Sequence, residues 1–220
     1  MKKLSIFLII IVTSTIWSCK KEPKFEYAYT YEENPFNCSA VDMDLIKEAT
    51  FAYHDFIKKH YTFRQPNNLV EAHVNYLKVA QFNMFPVVEH VDDHMKNIIA
   101  ALKEKEDLWT KTGNLYSLNY SHELIGCITN NLKDESIKAV FDEMLASNTF
   151  RTEIILPVIL RSPEQVLSDT TLLSYVALDA FYASLLEIDF TMPTDELFNT
   201  VRDMNKTRGE KAKQELLSNE

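Results

Sequence analysis

The sequence predicts an all-α fold, a helical bundle of about six to eight helices behind an extended N-terminal tether. Glycine occurs only 3 times in 220 residues, which disfavours turn-rich β-barrels and the glycine loops that cradle phosphates. Apolar residues follow a three-and-four spacing from Ser39 onward. No segment beyond the tether alternates as a half-buried strand would, and Gly113-Asn114 predicts only a loop. The length is typical of one globular domain.

Capping residues and helix breakers divide the chain into successive helices. Ser39 with Asp42 fits a capping box, and Asn68 and Asp169 are typical N-cap residues. Pro86 either begins the third helix or kinks a longer one. The predicted helices span residues 41–61, 68–85, 86–105, 121–132, 135–147, 150–160, 170–189 and 194–216, and Ser162-Pro163-Glu164 is predicted to be a cap and first turn.

Residues 1–18 have the pattern of a secretory signal peptide. Lys2 and Lys3 precede an apolar run from Leu4 to Val12, which is too short to cross a membrane because a spanning helix needs about 20 apolar residues. The next segment ends in Ile16-Trp17-Ser18-Cys19. It resembles a bacterial lipobox, in which an aliphatic residue stands three before a lipid-modified cysteine and a small residue immediately before it.

The lipobox resemblance implies cleavage before Cys19, lipidation of that residue, and a permanent membrane anchor in the bacterial cell envelope. Lys20 after the cysteine resembles outer-membrane rather than inner-membrane sorting. Removal of residues 1–18 leaves 21 basic residues against 32 acidic ones, a net charge of −11. Nucleic acid is therefore not expected as a partner, because phosphate binding requires a basic face. A protein partner remains open.

Residues 19–40 are predicted to be the tether and residues 41–220 the helical domain. Phe25, Tyr27, Tyr29 and Tyr31 recur at every second position, which places their rings on one side of an extended segment. We expect an arm that packs this aromatic side onto its own domain. The alternatives are a flexible tether, reaching about 60 Å when fully extended, and a strand offered to a partner's sheet edge.

Cys38 and Cys127 remain once Cys19 is assigned to the lipid. An oxidising envelope permits a disulfide between them, joining the tether to the domain. Alternatively, Cys127 is a small buried apolar residue on a helix face.

Helix 170–189 is apolar around its whole circumference, so it is predicted to lie in the middle of the bundle. Asp179, Ala183 and Glu187 form one i, i+4 row on it. An acid enclosed by apolar neighbours has either a partner or a raised pKa. The row is therefore interpreted as a narrow solvent-facing stripe, because Asp and Glu are seldom fully buried, with Asp179 as a ligand or general base as the functional alternative.

Residues 89–94 contain the densest group of metal-ligand side chains. His90 and His94 stand at i, i+4 with Asp93 between them, a spacing at which two imidazoles on one helix can share a metal. His73 lies on the apolar face of helix 68–85 and is a further candidate. The alternatives are a polar helix flank for residues 89–94 and a hydrogen-bonded core position for His73.

The sequence has no complete catalytic motif and points to no particular cofactor, so enzymatic activity stays open. The expected function is that of a lipid-anchored envelope protein with a binding or scaffolding domain. One alternative is a metal-binding protein or metal-dependent enzyme that uses the histidines above, with Asp179. Another is an apolar ligand held between helices in a pocket of roughly 300 Å³ or more, lined by Tyr175, Phe181 and Tyr182.

Overall fold

The computed structural model describes residues 25–62, 68–113 and 115–218. The signal peptide and the lipobox, including Cys19, lie outside these residues. The fold is mostly helical, as predicted. The helices are α1 (Met43–His60), α2 (Leu69–Ala80), α3 (Asp93–Lys103), α4 (Glu123–Asn131), α5 (Glu135–Ala146), α6 (Thr152–Ile159), α7 (Glu164–Ser168), α8 (Thr170–Tyr175), α9 (Ala183–Leu185) and α10 (Thr194–Ser218).

Aspartate and asparagine side chains cap the first turns of several helices. Asp42, Asn68 and Asp169 each accept a backbone N–H in the first turn of α1, α2 and α8, respectively. These bonds satisfy amides that have no partner within the helix. The predicted caps at Asn68 and Asp169 are confirmed. The first helix begins at the Asp42 cap and not at a box opened by Ser39.

Helix α2 ends at Ala80, earlier than predicted, because the chain leaves helical geometry at Asn83, whose φ is +54°. The side chain of Asn205 on α10 then hydrogen-bonds the backbone of Phe85, accepting from its N–H at 2.7 Å and donating to its carbonyl at 3.3 Å. These tertiary hydrogen bonds replace the helical ones that the predicted longer helix would have made.

The third helix begins seven residues after Pro86, which therefore neither starts nor kinks it. A 3₁₀ turn, Val88–His90, comes first. Asp92 then caps α3 by accepting the N–H of Met95 at 2.8 Å. The helical geometry is therefore interrupted between residue 90 and the start of α3.

Two short strands, β1 (Trp109–Thr112) and β2 (Leu115–Leu118), form an antiparallel hairpin. The prediction of no strand beyond the tether is wrong here. Each strand has four residues, too few to show alternation in the sequence. The two-residue connection at 113–114 is typical of tight hairpins, and Gly113 has a φ of +64°. Trp109 fixes the hairpin to the bundle by donating its indole N–H to the carbonyl of Leu102 at 2.7 Å.

Residues 170–185 form one continuous helix whose middle part, Val176–Tyr182, is π-helical. Every residue from 171 to 183 is buried. Helices α1 and α2 and strand β2 pack around it. The predicted central position of this helix is therefore confirmed.

The segment before α1 lies against the domain. Phe25, Tyr27 and Tyr29 pack on the core, whereas Tyr31 is 75% exposed. The buried carboxylate of Glu48 accepts the backbone N–H of Ala28 at 2.7 Å and that of Tyr29 at 3.0 Å. The expected arm is thus present for three of its four rings, and the last ring points away.

Cys38 and Cys127 are joined by a disulfide, with their Cα atoms 5.6 Å apart. The bond links the segment before α1 to α4. It closes a loop with a sequence separation of 89, and a cross-link over such a long loop removes much entropy from the unfolded chain.

Helix α10 attaches to the bundle through the buried side chains of Leu197 and Val201 near its start. Its 25 residues are strongly charged. Within the described ranges, no helix combines the length and the apolar character needed to cross a bilayer.

Candidate functional site

A cavity of about 260 Å³ lies beside the central helix. It is bounded by the end of α2, strand β2, the start of α6, the π-helical segment, α9 and α10. Asp179, Ala183 and Glu187, the row predicted from the sequence, all line it. Asp179 is only 5% exposed. The row therefore forms a wall of an internal recess and not an open solvent-facing stripe.

Three hydroxyl groups surround the carboxylate of Asp179. The Tyr120 hydroxyl donates to Oδ1 at 2.8 Å, and the hydroxyls of Thr152 and Tyr175 donate to Oδ2 at 2.6 and 2.7 Å. We call Tyr120, Thr152 and Tyr175 the hydroxyl cluster. Tyr120 and Thr152 line the cavity, whereas Tyr175 is fully buried behind Asp179. Thr152 also begins α6, so the positive end of that helix dipole lies near the carboxylate.

The electrostatics of this group follow from burial. Burial raises the pKa of Asp179, and the hydrogen bonds donated by Thr152, Tyr175 and Tyr120 oppose the rise. Burial and the negative charge of Asp179 raise the pKa of Tyr120 and of Tyr175. Both phenols therefore stay protonated and continue to donate.

Asp179 has no basic counterpart in the part of the chain that the structure describes. The ion pairs found there within 4.0 Å do not include it. When Asp179 is ionised, its carboxylate is stabilised by neutral donors, namely the hydroxyl cluster and a backbone hydrogen bond at Leu118.

An ion pair closes the other end of the cavity. Arg208 on α10 contacts Glu187 at 2.8 Å, and both side chains are largely buried. The guanidinium also donates to the carbonyl of Asn83 and lies 4.0 Å from the centroid of the Phe85 ring. Burial raises the pKa of Glu187, and the positive charge of Arg208 opposes that rise. Protein groups therefore hold Arg208 through two hydrogen-bond acceptors and one aromatic ring.

Small side chains leave the cavity open. Ala80, Ala180 and Ala183 line it on the side of α2 and the central helix. Larger apolar residues at these positions would fill the space between the two elements. The adjacent π-helical turn is a second feature that fits a site, because such turns are frequent at functional sites.

The structure does not bring the predicted metal ligands together. His90 lies in the 3₁₀ turn and His94 in α3, so the i, i+4 spacing does not place them on one helix. His94 instead contacts Glu48 through Nε2 at 2.7 Å. His90 stacks on His60 with ring centroids 4.2 Å apart, and Asp93 pairs with Lys96. The Asp92 cap is the physical reason for this separation.

His73 is fully buried and contacts the hydroxyl of Tyr53 through Nδ1 at 3.1 Å. Its ring stacks on that of His54. Among the residues the structure describes, no group of three or more His, Cys, Asp or Glu side chains could hold a metal ion. His73 thus occupies the hydrogen-bonded core position that the sequence left as an alternative.

The aromatic residues expected to line an apolar pocket lie in the core. Tyr175, Phe181 and Tyr182 are fully buried. Phe181 packs against the rings of Tyr53 and Phe56 at 5.2 and 5.1 Å between centroids. The space beside Phe181 is filled by protein.

Sequence reasoning identified Asp179 and Glu187 but missed Tyr120, Thr152 and Arg208. The enclosed acid indicated that a partner must exist. Tyr120, Thr152 and Tyr175 precede Asp179 by 59, 27 and 4 residues, respectively. Nothing local in a single sequence indicates the two longer pairings. Only the helical spacing of Tyr175 and Asp179 was available as a signal.

Comparison with models of protein families, with curated proteins and with solved structures gave no significant match to this chain.

Proposed function

We propose that this chain is a lipid-anchored protein of the bacterial cell envelope whose helical domain binds a small ligand in the cavity beside Asp179. The observation that supports binding is a buried carboxylate, free of any basic partner in the described residues, on the wall of a cavity of about 260 Å³. The signal peptide and lipobox pattern of residues 1–19 support the anchor.

A structural role alone is a weaker explanation for Asp179. Burying a carboxylate costs several kcal/mol, and replacing a buried polar group together with all of its partners by apolar residues of similar shape is often neutral or stabilising. A protein that needed only a stable core would gain little from an acid, two tyrosines and a threonine at this point. Perturbed acids that face a cavity are instead typical of ligand sites.

Filling the cavity tests the binding proposal. A fragment library is screened against the full chain in non-ionic detergent by protein-observed NMR, and hits are compared between the natural protein and Ala183→Leu. We expect fragments that shift resonances of cavity residues in the natural protein and not in the variant, because the added side chain occupies their space.

A matched control is Ala177→Leu, which enlarges a buried residue of the same helix that does not line the cavity. It should retain the hits even if it lowers stability. Hits that survive Ala183→Leu, or the absence of any cavity hit, would overturn the proposed function.

The anchor has its own test. Mass spectrometry of the protein extracted from membranes should show an N-terminal Cys19 carrying acyl chains, and Cys19→Ser should release the domain from the membrane fraction. An N-terminus at another residue without lipid would refute the proposed location.

A further inference from the structure

We infer that the cavity accepts a small primary amine, whose ammonium group binds the Tyr120 and Thr152 hydroxyl oxygens in front of Asp179. This inference deepens the proposed function and rests on it, since it names the ligand class of the same cavity.

The first argument is the direction of the hydroxyl protons. Each hydroxyl has one proton, and an ionised carboxylate has none, so the three contacts to Asp179 use the protons of the whole hydroxyl cluster. The oxygens of Tyr120 and Thr152 also lie 2.9 Å apart. No proton is left for this contact. Two oxygen acceptors therefore stand side by side on the cavity wall, and a donor from a ligand would bridge them.

The second argument is charge. Three carboxylates line the cavity, Asp179, Glu153 and Glu187, against the guanidinium groups of Arg151 and Arg208. One negative charge is in excess, and Glu187 and Arg208 neutralise each other at 2.8 Å. Arg151 and Glu153 are both exposed, whereas Asp179 is buried and takes part in no ion pair within 4.0 Å among the described residues, so its ionised form has no direct counter-charge next to the two acceptors. A positively charged donor satisfies both the acceptors and the charge.

The third argument is the remaining wall. On one side the cavity is lined by Ala80, Met84, Ala180 and Ala183, and by Leu115, which is 51% exposed, whereas polar side chains such as Asn83, Ser117 and Ser184 line other parts of it. The apolar side chains offer contact to an aliphatic body and no hydrogen-bond partners. The fitting ligand is therefore an ammonium group on a short apolar chain, with three N–H donors at one end.

A charge series on one carbon skeleton tests this inference. n-Butylamine, butyrate and 1-butanol are titrated into the full chain in non-ionic detergent, and binding is followed through NMR shifts of Ala183 and Ser184. We expect saturable shifts with the amine, with a Kd on the order of 1 mM for so small a ligand. Butyrate and butanol should bind at least about tenfold more weakly.

Two variants locate the ammonium group. Tyr120→Phe and Thr152→Val each remove one acceptor oxygen and should weaken amine binding about tenfold. The matched control is Tyr182→Phe, which removes a buried hydroxyl from the π-helical segment that carries Asp179. This hydroxyl donates to the carbonyl of Ala49, and Tyr182 does not line the cavity. This control should leave the amine Kd unchanged. The use of two acceptor variants keeps the test valid if one of them fails to fold.

Each outcome decides one of the two proposals. Butyrate or butanol binding as tightly as the amine would overturn the inference and leave the cavity as a ligand site. Amine binding unaffected by both acceptor variants, or no amine binding at all, would also overturn it. The proposed function fails separately, when the fragment screen gives no hit that Ala183→Leu removes.

Discussion

Two buried polar clusters flank the π-helical segment, and they differ in how fully their polar atoms are hydrogen-bonded. On one side, Asp179 receives protons from the hydroxyl cluster. On the other, Phe181 packs against Tyr53 and Tyr76, next to His73. Positions 179 and 181 are two residues apart, so they point to different faces of the helix.

The second group, which we call the histidine cluster, consists of Tyr53, His54, His73 and Tyr76. Three of its buried polar atoms have no hydrogen-bond partner within the described part of the chain: His54 Nδ1, His73 Nε2 and the Tyr76 hydroxyl. Leaving such an atom unpartnered costs about 1–3 kcal/mol. The carboxylate oxygens of Asp179, which lines the cavity, are therefore hydrogen-bonded, whereas the unpartnered polar atoms of the histidine cluster lie in the aromatic core.

Removing Asp179 should have the largest effect on stability. Asp179→Ala leaves three hydroxyl donors without their acceptor, and we expect a loss of about 3 kcal/mol in the free energy of unfolding. Urea denaturation followed by circular dichroism measures it. A loss below about 1 kcal/mol would show that the hydroxyl cluster finds other partners and would break the comparison.

Acid should weaken the protein through the histidine cluster. Burial, with a smaller contribution from the charge of His54, lowers the pKa of His73 to about 3. The unfolded chain, with a histidine pKa near 6.5, then binds more protons, so stability is retained above that value and lost as the pH falls toward 3. Between pH 7 and pH 5 we expect a loss of about 2 kcal/mol from this residue alone.

The control for the acid effect is His73→Gln, which cannot titrate. Urea unfolding at both pH values should show a smaller difference for this variant by roughly the same 2 kcal/mol. An identical pH dependence in the variant and the natural protein would assign the acid sensitivity to other groups.

Thr152→Val sharpens the comparison within the hydroxyl cluster. It removes one of three donors to Asp179 and keeps the shape of the side chain, so we expect a loss of about 1–2 kcal/mol. Thermal unfolding should show a lower Tm. An unchanged Tm would mean that two tyrosine donors suffice for the carboxylate.

The smallest effect is expected at Tyr76. Its hydroxyl is buried and has no hydrogen-bond partner among the residues that the structure describes, so Tyr76→Phe removes a desolvated polar group and loses no hydrogen bond found there. The free energy of unfolding should stay the same or rise by up to about 1 kcal/mol. A clear loss in urea denaturation would reveal a partner for this oxygen and would make the two clusters alike.

The helical fold could be predicted because its signals are local. Asn68 and Asp169 cap their own helices, and the apolar character of residues 170–189 predicted the central helix. The hairpin was missed because strand pairing between Trp109 and Leu118 is a contact across a turn and leaves little trace in four-residue strands.

The site was predictable only in part, for the same reason. The enclosed position of Asp179 indicated that it needs partners, but two of its three donors come from other elements of the fold. The prediction that His90 and His94 share one helix is wrong because the helix cap between them was overlooked. Asp92 caps α3 and separates His90 from His94, so a correct count of residues gave a wrong geometry.

If the chain is anchored as proposed, the docking of residues 25–29 on the domain shortens the tether between the domain and the bilayer. Because Glu48 accepts hydrogen bonds from the backbone N–H groups of residues 28 and 29, only residues 20–24 separate Phe25 from the proposed lipid at Cys19. That stretch spans at most about 20 Å when fully extended. The helical domain would then lie close to the lipid headgroups. The side of the domain that carries Phe25 would face the lipid, and the domain could tilt over only a restricted range.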